Sequence, residues 1–362
     1  MEAAENKKLK IKVEKREHVS SITQIGALMG AMVLSIIVTG LLMFIGGADI
    51  KAGFIALFEG AFGSWQASIE SLVKATPLIL TGLGTVVAFR ARIWNIGQEG
   101  QLYVGAIAAY WAYLQFNGLT LIILIPVIII FALIGGAFCG LIPAVIKAKF
   151  GVDEIIITIM LNYIVIYFLS WLVSGPWKDP NHYYLQSPTI LESAQFPSLL
   201  AHSRLHLGFI LAIVAAVLIY LLLSKTPLGY EINAMGLNPT AARFQGINIV
   251  KTMIIVMLIS GALSGLAGAG ELFGVIHRLK STISLGYGYT GIIIAMLAGL
   301  NPLAVVPVAI LFGGFINGSY YLQTITNVPA SIVDVIQAIV LLFFLGARAI
   351  SLFKIRLIKN GY

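Results

Sequence analysis

Apolar residues run in long uninterrupted blocks along this chain, and the polar residues gather in short islands between them. Uncharged apolar blocks occupy 25–45, 119–146, 155–175, 205–224 and 252–270. Residues 100–146 carry no charge and are long enough for two helices, dividing at Asn117-Gly118. Residues 281–333 are likewise uncharged and divide at Asn301-Pro302. A shorter block at 75–89 and a C-terminal one at 328–347, interrupted by Asp334, complete the set. About 20 apolar residues cross a bilayer core. The pattern therefore predicts an all-α polytopic membrane protein of about ten transmembrane helices, with a short interfacial helix near 50–63. It divides the chain into a polar segment 1–24, a transmembrane domain 25–347 and a tail 348–362. Two islands stand out within the domain, 176–206 and 225–251. The first apolar block is too long for a removable leader and ends without a clear cleavage site, so it is expected to remain as an anchor.

Composition sharpens this picture. Of 362 residues, 59% are hydrophobic and only 10% charged, against about a quarter charged in soluble domains. A net charge of +8 could suit nucleic acid, but the charges are sided. With the N-terminus inside, 17 of the 23 Lys and Arg residues fall on the cytoplasmic side. Lys51, Lys74, Lys178, Arg204, Arg278 and Lys280 fall outside. That bias places both termini and 225–251 in the cytoplasm and 176–206 outside; it reports orientation, and no nucleic-acid partner is expected. The single cysteine, Cys139, excludes a disulfide framework or a cysteine metal cluster within one chain.

Chemistry-bearing motifs are few. No Gly-x-x-x-x-Gly-Lys-Ser/Thr occurs, so the chain has no P-loop of its own, and no His-Glu-x-x-His is present. His202 and His206 have a metal-compatible spacing of four, but with His182 they sit in the outer island and read as ordinary loop residues. No nucleophile–base set stands out, so no enzyme is expected. Four G-x-x-x-G pairs, Gly26/Gly30, Gly136/Gly140, Gly261/Gly265 and Gly314/Gly318, would permit close helix approach in lipid. The stretches FRARIWNIGQEGQLYVGA (89–106) and IHRLKSTISLGYGYTGI (276–292) align Arg92 with Arg278, Gly100 with Gly286, Tyr103 with Tyr289 and Gly105 with Gly291. One begins inside and the other outside, as in an inverted repeat.

Polar groups within spans point to function. Asn162 lies inside its apolar block, and Asn95 and Glu99 sit in WNIGQEG, a polar break that suits backbone buried in protein or lining a watery cavity. Trp94, Tyr103, Tyr163, Tyr287 and Tyr289 stand near these points and could stack on a planar base or a sugar face. Glu271 and Asp334 lie near outer helix ends, either as interfacial carboxylates beside Arg278 or Lys280 or as ion sites. In the second island, MGLNPTAARFQGI (235–247) reads as a short helix. Asn238 caps it, Pro239 takes its first position and Gly246 closes it.

Together, NIGQEGQLYVGA, EIIITIMLNYI and GLNPTAARFQGI resemble bacterial ABC-importer permeases of the branched-chain amino acid and ribose permease superfamily, most closely its nucleoside branch, which depends on basic membrane proteins. The resemblance runs from about residue 75 to 347. It implies a transport subunit of the bacterial cytoplasmic membrane that contains no cofactor, since ATP and magnesium are used by partner ATP-binding cassette subunits. It further implies a second permease subunit and an extracytoplasmic substrate-binding lipoprotein. The family's coupling helix maps onto Asn238–Gly246, with Gly236 in its lead-in. Ala241 and Ala242 would allow close approach to the ATPase, and Arg243 would pair with an acidic residue there. Trp94, Asn95, Glu99, Asn162 and Tyr163 are the candidates for lining the pathway. The alternatives are a ribose-type sugar or branched-chain amino acid permease, or an ion-coupled secondary transporter using Glu99, Glu271 or Asp334.

Overall fold

The computed structural model describes residues 9–15, 21–47, 49–201, 203–326 and 328–359. The elements run β1 (Leu9–Lys15), α1 (Ser21–Ile45), α2 (Ile50–Phe62), α3 (Trp65–Arg90), α4 (Gln98–Phe116), α5 (Leu121–Phe150) and α6 (Glu154–Ser174). They continue as α7 (Leu207–Lys225), α8 (Pro227–Leu237), α9 (Pro239–Phe244), α10 (Ile249–Glu271), a π-turn (Leu272–Ile276), α11 (Tyr287–Leu297), α12 (Pro302–Thr326), α13 (Ala330–Leu352) and β2 (Phe353–Lys359). The membrane part is all helical. By length and composition α3, α5, α6, α7, α10 with its π-turn, and α12 can cross a membrane, and the bent α1–α2 pair would be a seventh span. This count stops three short of the ten that hydropathy suggested: α11 and residues 331–347 of α13 form only shorter apolar helices, and α4 is not among the helices long and apolar enough to cross.

The described residues fall into two compact units. In the unit formed by Met1–Ile55 and Leu322–Tyr362, α1 packs on α13. There β1 pairs antiparallel with β2 from Leu9↔Lys359 to Lys15↔Phe353. These strands depart from the all-α expectation. Their sequences, LKIKVEK and FKIRLIK, alternate apolar with charged residues over much of their length, a period of two that suits strands.

The larger unit, Ala56–Tyr321, is built around α3 and α10. The second apolar block proves longer than its uncharged core, because Ser64 caps the helix by accepting from the Ala67 N–H at 3.0 Å. Glu70 and Lys74 thus belong to α3, which is continuously buried from Ala75 to Phe89. So much burial requires small residues and internally satisfied hydroxyls. Thr76, Thr81 and Thr85 each return a hydrogen bond to the carbonyl four residues earlier, at 2.8–3.1 Å.

Two of the four G-x-x-x-G pairs meet each other. On α5, Gly136 faces Gly261 and Gly265 of α10, and Gly140 faces the Met257 carbonyl. Gly105 of α4 also lies on Gly265, so three backbones converge where no side chain intervenes. Gly314 and Gly318 accept the Phe62 ring and the Leu57 carbonyl of α2, whereas Gly26 and Gly30 have nothing within 4 Å.

Candidate functional site

After Arg90 the chain leaves the helix, with Arg92 in the left-handed region at φ 55°, and α4 starts only at Gln98. The same event recurs at the end of α10. His277, at φ 57°, follows the π-turn, and α11 starts at Tyr287 after the left-handed Gly286. The exchange of partners is reciprocal: α4 packs on α10, and α11 packs on α3. Gly105 lies against Gly265 of α10, and Gly291 lies against Thr81 of α3. The alignment of Gly105 with Gly291 therefore has a packing counterpart. Left-handed Arg92 matches His277, one position before Arg278.

The polar groups of the first break are buried and bonded inward. Asn95 donates to Ser260 Oγ of α10 at 2.8 Å and exchanges two bonds of 3.1 Å with the Gln101 amide, and its Oδ1 accepts from the Gly97 N–H at 3.0 Å. Asn162 of α6 accepts from the Gly100 N–H at 2.8 Å and donates to the Ile96 carbonyl at 3.0 Å and the Tyr289 hydroxyl at 3.1 Å. The Gln98 amide lies 2.6 Å from Thr85 Oγ1 and 2.8 Å from Ser264 Oγ. Unpaired amides at this depth would each cost several kcal/mol, roughly. These residues hold the break in shape.

Glu99 joins the two breaks. Its carboxylate accepts from the Gly288 N–H at 2.8 Å, and the Ser284 hydroxyl and Gly286 N–H converge on it. Glu99 thus sits in the first turn of α4 and at the start of α11, where both helix ends carry partial positive charge. Gly288 leaves room for this approach, since a methyl group there would strike the Glu99 backbone. The remaining sequence candidates face outward. The Trp94 side chain is exposed, edge-on to Phe89 at 4.7 Å, while its backbone N–H donates to Glu154 at 3.1 Å. Tyr163 is 56% exposed on α6, and Tyr167, one turn on, is more open still.

The connection between α7 and α10 contains one helix more than expected, because Thr226 caps α8 ahead of α9. Asn238 Oδ1 then accepts from the N–H groups of Thr240 and Ala241 at 3.0 and 3.1 Å, with Pro239 in the first turn. Gly246, at φ 84°, closes α9, and its N–H reaches the Arg243 carbonyl while that of Ile247 reaches Ala242. The Tyr230 hydroxyl donates to Gln245 at 3.0 Å, and the Thr252 hydroxyl to Glu231 at 3.0 Å, tying the hairpin together and to α10. Ala241, Arg243 and Phe244 are exposed, Phe244 at 88%, but Ala242 is 2% exposed and points inward. Gly236 is buried against the Arg90 carbonyl. Sequence reasoning passed over Phe244, whose apolar ring on an otherwise polar turn was the available signal.

A family profile described as "Branched-chain amino acid transport system / permease component" matches residues 68–345. This chain belongs to that permease family. The permease is 37% identical to the guanosine ABC transporter permease protein NupP of Bacillus subtilis, over 91% of this chain and 96% of that one. It is 34% identical to the nucleoside ABC transporter permease protein NupB of Lactococcus lactis, over 88% and 90%. The glucose ABC transporter permease protein TsgB13 of Haloferax volcanii is 29% identical over 96% and 94%. A solved inward-facing ABC transporter assigned to the metal-chelate type aligns with a TM-score of 0.43 and 17% identity, over 89% and 98% of the two chains.

In the permease, residues 187–196 of the 176–206 connection lie across the second break. The N–H groups of Ser187, Ile190 and Phe196 donate to the carbonyls of Leu279, His277 and Phe273 at 2.9–3.0 Å. Glu271 is buried, with Lys74 and Arg204 as its facing cations rather than Arg278 or Lys280. Asp334 is exposed on α13. His202 lies outside the described residues. His182 lies 2.7 Å from the Asp179 carboxylate.

His206 caps α7, its Nδ1 accepting from the Gly208 N–H at 3.0 Å. Burial, and the neighbouring His277, push its imidazole down to about 4. The unfolded chain binds this proton below about 6.5 and the folded chain only near 4. Stability is therefore full above 6.5 and declines as pH falls toward 4, by about 3 kcal/mol at most. Thermal unfolding in detergent should show a falling midpoint between pH 7 and pH 4.5. His206→Asn, which can still cap the helix, should flatten that slope.

Proposed function

We propose that this permease is the membrane subunit of an ATP-driven importer of nucleosides in the bacterial cytoplasmic membrane. The observation that carries the substrate class is similarity over nearly the whole chain to the guanosine and nucleoside permeases. In this reading the chain holds no ATPase site and needs no cofactor. ATP and magnesium belong to ATP-binding cassette subunits that dock on α9, and a substrate-binding lipoprotein delivers solute to the opposite face.

The reading takes the chain across the membrane about ten times, with both termini cytoplasmic and its halves related as an inverted repeat. The reciprocal packing of α4 on α10 and α11 on α3 supports the repeat. The pairing of β1 with β2 supports termini on one side. The pathway follows the exposed face of α6, completed by a second permease subunit. A tyrosine hydroxyl facing hydrocarbon has nothing to bond with, so Tyr163 and Tyr167 suit a watery route on which a planar base can stack. Asn95, Glu99 and Asn162 act behind that face as braces, and Trp94 stands at its rim.

The glucose permease relative gives the sugar alternative a specific footing. Radiolabelled guanosine uptake into cells expressing the full transporter, challenged with unlabelled nucleosides, pentoses, glucose and branched-chain amino acids, separates the readings. The expected result is competition by nucleosides alone, persisting when the proton gradient is collapsed and ATP is maintained. Competition by glucose without nucleosides would transfer the permease to the sugar branch. Loss of uptake with the gradient would make it a secondary transporter.

A further inference from the structure

Arg90 ends α3 at a point where α8 and the α11–α12 turn meet it. Its Nε donates to the Leu300 carbonyl at 2.9 Å, in the tight turn that joins α11 to α12. Its Nη1 reaches Asn233 Oδ1 of α8 at 3.4 Å. Its own carbonyl rests on Gly236, also in α8, so closely that a methyl group at Gly236 would collide with it. Two residues further on the chain turns left-handed at Arg92 and enters the first break. The Leu300 turn is itself strained, with Gly299 and Leu300 at φ 63° and 58°, a conformation a leucine keeps only where its surroundings hold it.

These contacts put one side chain between the α8–α9 hairpin, the end of α3 and the turn after α11. The hairpin is braced within itself, since Tyr230 ties α8 to Gln245 beyond α9. Asn233 also binds the Leu223 carbonyl of α7 at 3.2 Å, so α8 is held from both sides. Packed interiors transmit displacement with little compression. Any shift of α8 therefore bears on the Arg90 carbonyl through Gly236 and on the Leu300 turn through the guanidinium. The planar fork of arginine can hold two directions at once, whereas a lysine ammonium is a single point on a flexible stem.

We infer that Arg90 is the positioning residue that carries motion of the α8–α9 hairpin to the α3–α4 break and the α11–α12 turn together. The inference rests on the reading of α9 as the docking helix for ATP-binding subunits. Its test measures solute uptake and ATP hydrolysis side by side in proteoliposomes holding the full transporter. Arg90→Ala and Arg90→Lys should assemble and hydrolyse ATP, yet move about tenfold less solute per ATP, the size of loss set by one charged hydrogen bond. Asn233→Ala, which removes one link and leaves α3 intact, should show a smaller loss in the same ratio and decides the matter if Arg90 variants fail to fold.

An unchanged solute-to-ATP ratio in the Arg90 variants, or in Asn233→Ala where it is the deciding variant, overturns the inference. So does a lower folded yield whose surviving protein is fully coupled, since that is the behaviour of a simple helix cap. Phe244→Asp tests the underlying reading separately: if that variant still assembles and transports, α9 is not the docking helix, whatever Arg90 does.

Discussion

Gly265→Leu is expected to eliminate folded permease from the membrane fraction. Gly265 stands where α4, α5 and α10 approach backbone to backbone, facing the Ala132 carbonyl on one side and Gly136 on another, with Gly105 pressed on it in turn. The first carbon of an isobutyl group there has no flexible neighbour to displace, because the atoms nearest to it are main chain. Overpacking of ordinary cores costs about 1–3 kcal/mol, and an obstruction made of backbone should reach or exceed the top of that range. A cost of about 3 kcal/mol lowers the folded-to-unfolded ratio roughly a hundredfold. Gel filtration of a fluorescent fusion in mild detergent should show the monodisperse peak vanish. Gly26→Ala, at a site with nothing within 4 Å, should leave it unchanged.

Phe244→Asp should have the second large effect, on assembly rather than folding. The ring is the most exposed large apolar group of the α8–α9 hairpin, with Leu237 next at 78% exposure. Leu237 lines a groove with Tyr230, Asn233, Ala241 and Gln245. A buried aromatic anchor lost from an interface costs about 2 kcal/mol or more, and a carboxylate facing an apolar pocket adds its desolvation. Co-purification with the ATP-binding subunits should fall to background while insertion and detergent stability stay at wild-type levels. Ala242→Trp makes a poorer probe. With Ala242 facing inward, tryptophan would distort the hairpin from within and lower stability as well.

The sequence revealed most where structure depends on neighbours in the chain. Asn238, Pro239 and Gly246 spell out α9 because capping chemistry is read over a few residues. The polar island 94–100 was visible as a break for the same reason. What stayed hidden was whether its amides were open or closed. The partners of Asn95 and Asn162, namely Ser260, Tyr289 and the Ile96 carbonyl, are mostly far off in sequence. A satisfied amide and a substrate-binding amide look alike in one dimension. Glu70 and Lys74 concealed the first turns of α3, since charges near a span end read as a terminus. Arg90 read simply as one more inside charge. Its function as a joint arises only when α8 and the Leu300 turn are brought to it.

The seat of Glu99 between the starts of α4 and α11 also bears on what the permease refuses. Helix N-termini are ready-made seats for phosphate, and here a carboxyl of the chain's own already occupies the pair of them. Buried behind the α6 face rather than on it, Glu99 holds both helix starts closed, at an effective concentration on the order of millimolar for even a loose tether. The break therefore lends the route no phosphate seat, and an anionic solute gains nothing from the helix ends beneath it.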